Sequence, residues 1–181
     1  MFKDLGLLTL RLSTGLTMAA HGYPKLFGGE GRRAPKPIER AMGPNYPATV
    51  QSMSHGTFSQ TLEKLEVPAP EAAAYASGMA EFFGGLGLAL GFKTRLSALL
   101  ILMNLIVAIR KVHWQNGYFG DGGFELPGEL SSAAFALLMT GPGAISFDAL
   151  FRAPKTVRKQ IDSSAEDVSD LAHKAAAKVK R

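Results

Sequence analysis

Leu96-Ser97-Ala98-Leu99-Leu100-Ile101-Leu102-Met103-Asn104-Leu105-Ile106-Val107-Ala108-Ile109 carries no charge and only two polar side chains, Ser97 and Asn104. A helix on the surface of a water-soluble protein keeps a polar face at helical spacing, and this stretch has none. Extended to 94–113, it reaches the roughly 20 residues that a helix needs to cross the hydrocarbon core of a bilayer. A soluble bundle of very apolar helices is the competing reading, and the missing polar face argues against it.

Three further apolar blocks flank this one. Block 5–27 is interrupted by Arg11, His21 and Lys25, block 72–92 by Glu81, and block 124–141 holds Glu125 and Glu129 near its start. The first two are long enough to span, whereas the last needs a tilt or a locally thin bilayer. Charge is segregated into 30–71 and 152–181, which is why the mean hydropathy of the whole chain is only +0.08. The sequence therefore predicts an all-α fold, a transmembrane four-helix bundle over 1–152 followed by a basic amphipathic cytoplasmic tail over 153–181. A cleaved signal peptide ending at Met18-Ala19-Ala20 is the alternative for the first block. Against it, Arg11 breaks the apolar core and the apolar run continues past Ala20.

Basic residues near the span ends set the orientation. Lys3, the Lys93/Arg95 turn and the basic tail fall on one side, which assigns both termini to the cytoplasm, in a multi-pass protein of a bacterial-type inner membrane. Arg110 and Lys111, and Arg32, Arg33, Lys36, Arg40 and Lys64, then lie outside, against that bias. In the outer segment, Phe58, Leu62 and Leu65 share a helical face and Pro68 and Pro70 end the pattern, which predicts a short outer interfacial helix. Residues 29–56, with several Gly and Pro, read as an irregular loop. Ala72, Ala76, Ala80 and Gly84 form a stripe of small residues in the second span, joined by Gly87 and Gly91, so helix backbones can approach closely there.

The net charge of +5 is concentrated in the tail, where Val157, Ile161, Ala165, Val168, Ala172, Ala175 and Val179 form one apolar stripe among charges. Ser164 with Asp167 reads as a capping box. Beside membrane spans, such a helix points to anionic lipids or a partner protein rather than to nucleic acid. A frayed, solvated tail is the plainer alternative.

Ionisable residues inside a membrane are costly and invite functional readings. At about 1.5 Å per residue, Arg11 lies roughly 10 Å and Glu81 roughly 15 Å from the inner ends of their spans. Asn104 lies near the level of Glu81. A buried ion pair of Arg11 and Glu81, helped by Asn104, is the expectation, and fixing helix register is its structural role. A second cluster, His21, Lys25, His113, Glu125 and Glu129, falls near the outer span ends, beside Tyr23, Trp114, Tyr118 and Phe119. Such groups suit a polar head with an apolar tail, a quinone above all, with His21, Glu81 and Glu125 exchanging protons. The aromatics also serve as interfacial anchors.

The chain has no cysteine, so disulfides, thiolate metal sites and dithiol relays are excluded within it. His21 and His113 sit at compatible depths for a metal or haem, yet no ligand spacing supports one, and no metal is assigned. No phosphate-binding Gly loop, nucleophile elbow or His pair at i, i+4 is present. No residue is given a catalytic role and no intrinsic cofactor is expected, only a quinone and lipid contacts.

Arg11-Leu12, His21-Gly22 and Lys25-Leu26-Phe27 resemble the opening of DoxX-family membrane proteins. So do 58–67 with Pro68-Ala69-Pro70, then Glu81-Phe82-Phe83-Gly84-Gly85, Gly91 and Thr94-Arg95. His113, Gly117-Tyr118-Phe119, Gly123-Phe124-Glu125, Thr140-Gly141-Pro142-Gly143 and Asp148 follow in order. The resemblance implies a four-helix membrane bundle with both ends cytoplasmic. The family takes its name from a subunit associated with thiosulfate-to-quinone electron transfer, and other relatives are linked to oxidative-stress complexes. Three functions follow as expectations: a redox-linked membrane subunit, a non-catalytic accessory subunit among other membrane protein subunits, or a small transporter or proton relay.

Overall fold

The computed structural model describes residues 2–151. The tail helix expected over 153–181, with its lipid contacts, lies outside the described residues. The chain forms α1 (Phe2–Phe27), α2 (Lys36–Met42), α3 (Tyr46–Ser52), α4 (His55–Lys64), α5 (Pro70–Leu90), α6 (Thr94–Ala108), α7 (Glu125–Thr140) and α8 (Phe147–Phe151), with no strand among the described residues. Directly after α6 the helix runs on as a π-helical turn, Ile109–His113, and a 3₁₀ turn, Trp114–Asn116. A compact unit ends at Asp148, four residues before the boundary read from the sequence.

The four long helices are the four apolar blocks. α1 packs on α5, α5 on α6 and α6 on α7, and α7 returns to α1 by the sparsest of these contacts. Among the described residues, one helical stretch, Thr94–Asn116, is by itself long and apolar enough to cross a membrane. The other three are diluted for separate reasons. α1 carries Arg11, His21 and Lys25, α5 is rich in Gly and Ala, and α7 has 16 residues, about 24 Å of helix. Their surfaces are nonetheless apolar: Leu12, Leu16, Phe83, Leu99, Met103, Val107, Phe135 and Met139 are exposed, while Arg11, Thr14, Glu81 and Thr94 are buried. An apolar core that also buries ionisable groups, wrapped in apolar side chains, departs from the polar outside of a water-soluble protein.

Close approach of α1 and α5 comes from glycines on both. A Cβ at Gly15 would lie 2.6 Å from the Ala89 nitrogen and the Gly85 oxygen, and one at Gly85 2.6 Å from the Gly15 oxygen. The buried line on α5 is Ala74, Gly78, Glu81, Gly85 and Ala89, while Ala72 and Ala76 of the expected stripe are exposed. The reason is geometric. Four residues turn a helix by about 400°, so a strict four-residue repeat drifts off one face, whereas the buried line corrects the drift with a step of three from Gly78 to Glu81. Gly84 and Gly87 face Ile101 and Ser97 of α6, so α5 is close-packed on two sides.

The outer segment is more regular than a loop. α2 and α3 occupy most of 36–52, and each has a proline in its first turn, Pro37 and Pro47. Proline there gives up an N–H that a helix start leaves unpaired anyway, so it initiates rather than breaks. Ser54 caps α4 by accepting a hydrogen bond from the Thr57 amide at 3.1 Å, and Leu62 is buried on the face that meets α5. Pro24 lies inside α1 and has no N–H for the Ala20 carbonyl. The Tyr46 hydroxyl of α3 donates to that carbonyl at 3.0 Å.

At the opposite end, Asp148 ties three segments together. Its carboxylate accepts from the Lys93 amide at 2.8 Å, the Thr94 amide at 2.9 Å and the Thr94 hydroxyl at 2.8 Å, and its own amide donates to the Gly91 carbonyl at 2.8 Å. This caps the start of α6, where backbone amides are otherwise unpaired. Gly91 adopts φ 70°, and a Cβ there would collide with the Arg11 guanidinium.

Candidate functional site

Arg11 does not pair with Glu81. Its guanidinium donates to the Ile145 carbonyl, and Asp148 supplies countercharge. The stagger of the helix ends explains the difference. α1 and α5 run antiparallel with Gly15 opposite Ala89 and Gly22 opposite Glu81, so Arg11 reaches only the level of Gly91. Ten residues separate Gly91 from Glu81, about 15 Å along the helix. Measuring each depth from its own helix end missed this, because α1 projects beyond α5 by most of its first nine residues.

Glu81 is 5 % exposed and its partner is Lys25. Lys25 Nζ lies 2.6 Å from Glu81 Oε1, and Asn104 Nδ2 donates to the same oxygen at 2.8 Å. Lys25 also donates to Ser77 Oγ at 3.4 Å and sits 4.3 Å from the centre of the Phe58 ring. Four elements thus fix one ammonium–carboxylate pair: α1 gives Lys25, α4 Phe58, α5 Ser77 and Glu81, and α6 Asn104. Glu81 Oε2 is buried and has no hydrogen-bond partner. A buried carboxylate oxygen left unpaired is costly.

Beside this pair opens a cavity of about 390 Å³ lined by Met18, His21, Lys25 and Glu81, by Leu105, Ala108 and His113, and by Gly120, Gly122, Gly123, Glu125, Leu126, Pro127 and Leu130. It joins His21, Lys25, His113 and Glu125 of the outer cluster with Glu81. Glu129 is exposed and one turn further along α7, outside the lining. The π-helical turn inserts extra backbone just before His113, and such turns recur at functional positions. His113 Nδ1 lies 2.8 Å from the Gly122 carbonyl, to which Asn116 Nδ2 also donates at 3.0 Å. A carbonyl only accepts, so Nδ1 carries a proton, and in the tautomer this fixes Nε2 is the ring's acceptor. Glu125 opens α7, where a carboxylate is favoured by the helix dipole.

The aromatics divide into two groups. Trp114 stacks on Phe124 with ring centroids 5.3 Å apart, and Tyr118 meets Phe119 and Phe124 at 4.8 and 5.2 Å. Tyr23 instead packs on Phe27 and Phe82, and none of these aromatics is in the cavity lining. Sequence reasoning did not identify Ser77, Phe58 or the Gly122 carbonyl as parts of the site. Ser77 was within reach, being one turn before Glu81, but Phe58 and Gly122 arrive only through tertiary packing. Among the described residues no group of three metal-binding side chains comes together.

The lining mixes apolar Met18, Leu105, Ala108, Leu126 and Leu130 with His21, Lys25, Glu81, His113 and Glu125. A cavity of this size and mixed character suits a small amphipathic molecule. No curated protein and no solved structure matches the chain. The DoxX family model matches residues 6–114, which include Lys25, Glu81, Asn104 and His113. The chain belongs to the DoxX family of membrane proteins.

Proposed function

We propose that this protein is a redox-linked or accessory subunit of a membrane complex that holds a quinone-type head group in the outer cavity. The observation that carries the reading is Glu81: a buried carboxylate, fixed through one oxygen by Lys25 and Asn104, with its other oxygen unpartnered beside an amphipathic cavity. These residues fit a quinone, whose ring needs polar contacts on one side and whose tail needs apolar ones. A bound quinone would supply two-electron chemistry, and the chain's own groups would orient it and handle protons. In this reading Glu81, His113 and Glu125 act as proton acceptors, and Lys25 holds the Glu81 carboxyl in position.

The chain crosses the membrane four times in this reading, with both termini on the cytoplasmic side of a bacterial-type inner membrane. The exposed apolar faces of α1, α5, α6 and α7 support it. The sparse α1–α7 contact then gives a tail a lateral way out between two helices. A transporter or proton relay is less well supported. Between Glu81 and the inner Arg11–Asp148 group, α5 presents Gly84, Gly85, Gly87, Leu88 and Ala89 to the interior, none of them ionisable.

The test is purification in mild detergent, followed by extraction and mass spectrometry of bound small molecules and co-purifying proteins. Stoichiometric quinone in the wild type, lost in Glu81→Ala, is the expected result. Neither quinone nor a partner at any stoichiometry would overturn the reading.

A further inference from the structure

Resting on that reading, we propose that the cavity selects the hydroxyl-bearing, reduced head of its ligand, a hydroquinone, over the carbonyl-only quinone. Apart from the His21 ring, the side-chain donors beside the cavity are already committed. The Lys25 ammonium has three hydrogens and three neighbours: Glu81 Oε1 at 2.6 Å, Ser77 Oγ at 3.4 Å and the Phe58 ring face at 4.3 Å. Asn104 Nδ2 is turned to Glu81, and Asn104 is not part of the lining. His113 spends its Nδ1 proton on the Gly122 carbonyl.

What remains is acceptor-rich. Glu81 Oε2 has no partner, its side chain is 6 % exposed, and its other oxygen is taken by Lys25. His113 Nε2 offers a lone pair, and Glu125 as a carboxylate offers only acceptors. His21 alone can take either role. A quinone carbonyl brought to Glu81 Oε2 meets an acceptor and loses its water, whereas a phenolic O–H there donates to a carboxylate oxygen. Hydrogen bonds to charged groups are among the stronger ones.

The experiment uses the full chain in phosphatidylcholine nanodiscs, under anaerobic conditions. A short-tailed hydroquinone, its quinone and its dimethyl ether are titrated in turn. The hydroquinone is expected to bind on the order of tenfold or more tighter than either of the others. Glu81→Gln replaces an acceptor with an amide that also donates, and should erase the preference. The dimethyl ether on the wild type needs no variant, so the inference stays testable if Glu81→Gln fails to fold. Equal binding of hydroquinone and quinone overturns this inference and leaves the quinone-site reading standing. Binding of none of the three overturns both. Displacement of the hydroquinone by phosphatidylethanolamine, whose ammonium is also a donor, would reassign the site to an amine-headed lipid and overturn it as well.

Discussion

Lys25 and Glu81 depend on each other for their depth. Removing one charge of a buried pair strands the other, at a cost of about 3–5 kcal/mol, whereas replacing both by neutral groups of similar size is often close to neutral. Lys25→Met should therefore lower the detergent-solubilised unfolding temperature markedly, and Lys25→Met with Glu81→Gln should recover much of the loss. Equal losses in the single and double variants would show that the pair is not the stabilising unit. Tyr46 is a second residue with a definite task, since its hydroxyl fills the gap that Pro24 leaves at Ala20. Tyr46→Phe should cost about 1 kcal/mol, read as faster proteolysis of the outer segment. Burial raises the Tyr46 phenol above its ordinary value of 10.0, with Tyr23 adding to the effect. A raised folded-state value means that stability is intact below pH 10 and is lost as pH rises through that value. Loosening of the outer segment should therefore begin above pH 10 and be absent in Tyr46→Phe. At this scale the sequence marked the ionisable residues but not their partners. Lys25 and Glu81 stand 56 positions apart, and only the stagger of two helices decides which basic residue of α1 meets the carboxylate.

The α1–α5 seam is the element on which the site's geometry rests. Gly15→Leu would drive a side chain into the Gly85 and Ala89 backbone. Overpacking of this kind costs about 1–3 kcal/mol or more, and here it would also part Lys25 from Glu81. Gly6, on the same helix, has open space where a Cβ would stand, with nothing within 4 Å, so Gly6→Ala should be silent. Unfolding midpoints of the two variants provide the comparison, and similar losses in both would remove the seam from the account. The long helices were legible because long, mostly apolar runs favour the helix, which satisfies its backbone within itself where water is scarce. α2 and α3 were not, because Pro37 and Pro47 are equally at home in loops and at helix starts. The small-residue stripe was half legible: spacing showed that α5 is small on a face, but which face depends on Gly15 and Gly22 across the seam.

For the whole molecule, orientation is the property open to direct measurement. The chain has no cysteine, so single cysteines give a clean background. Ala48→Cys in α3 and Lys3→Cys in α1 are both at exposed positions. A membrane-impermeant maleimide on intact cells should label the first and reach the second only after lysis. The opposite pattern would invert the assigned topology. Positive-charge counting left Arg110, Lys111 and the basic residues of 32–64 in conflict with it, since a few charges on an ordered outer segment weigh against the same rule that the turn at Lys93 and Arg95 supports.

The return of α7 to α1 has a consequence in the order of synthesis. The ribosome delivers Lys25 first, then Phe58, Ser77 and Glu81, then Asn104 and His113, so the ion pair can be complete while the fourth wall is still missing. Glu125, Leu126, Pro127 and Leu130 come last. A nascent chain halted before residue 124 would carry the charged pair facing lipid or a neighbouring protein, with no enclosed cavity beside it. The cavity thus exists only once the bundle is finished.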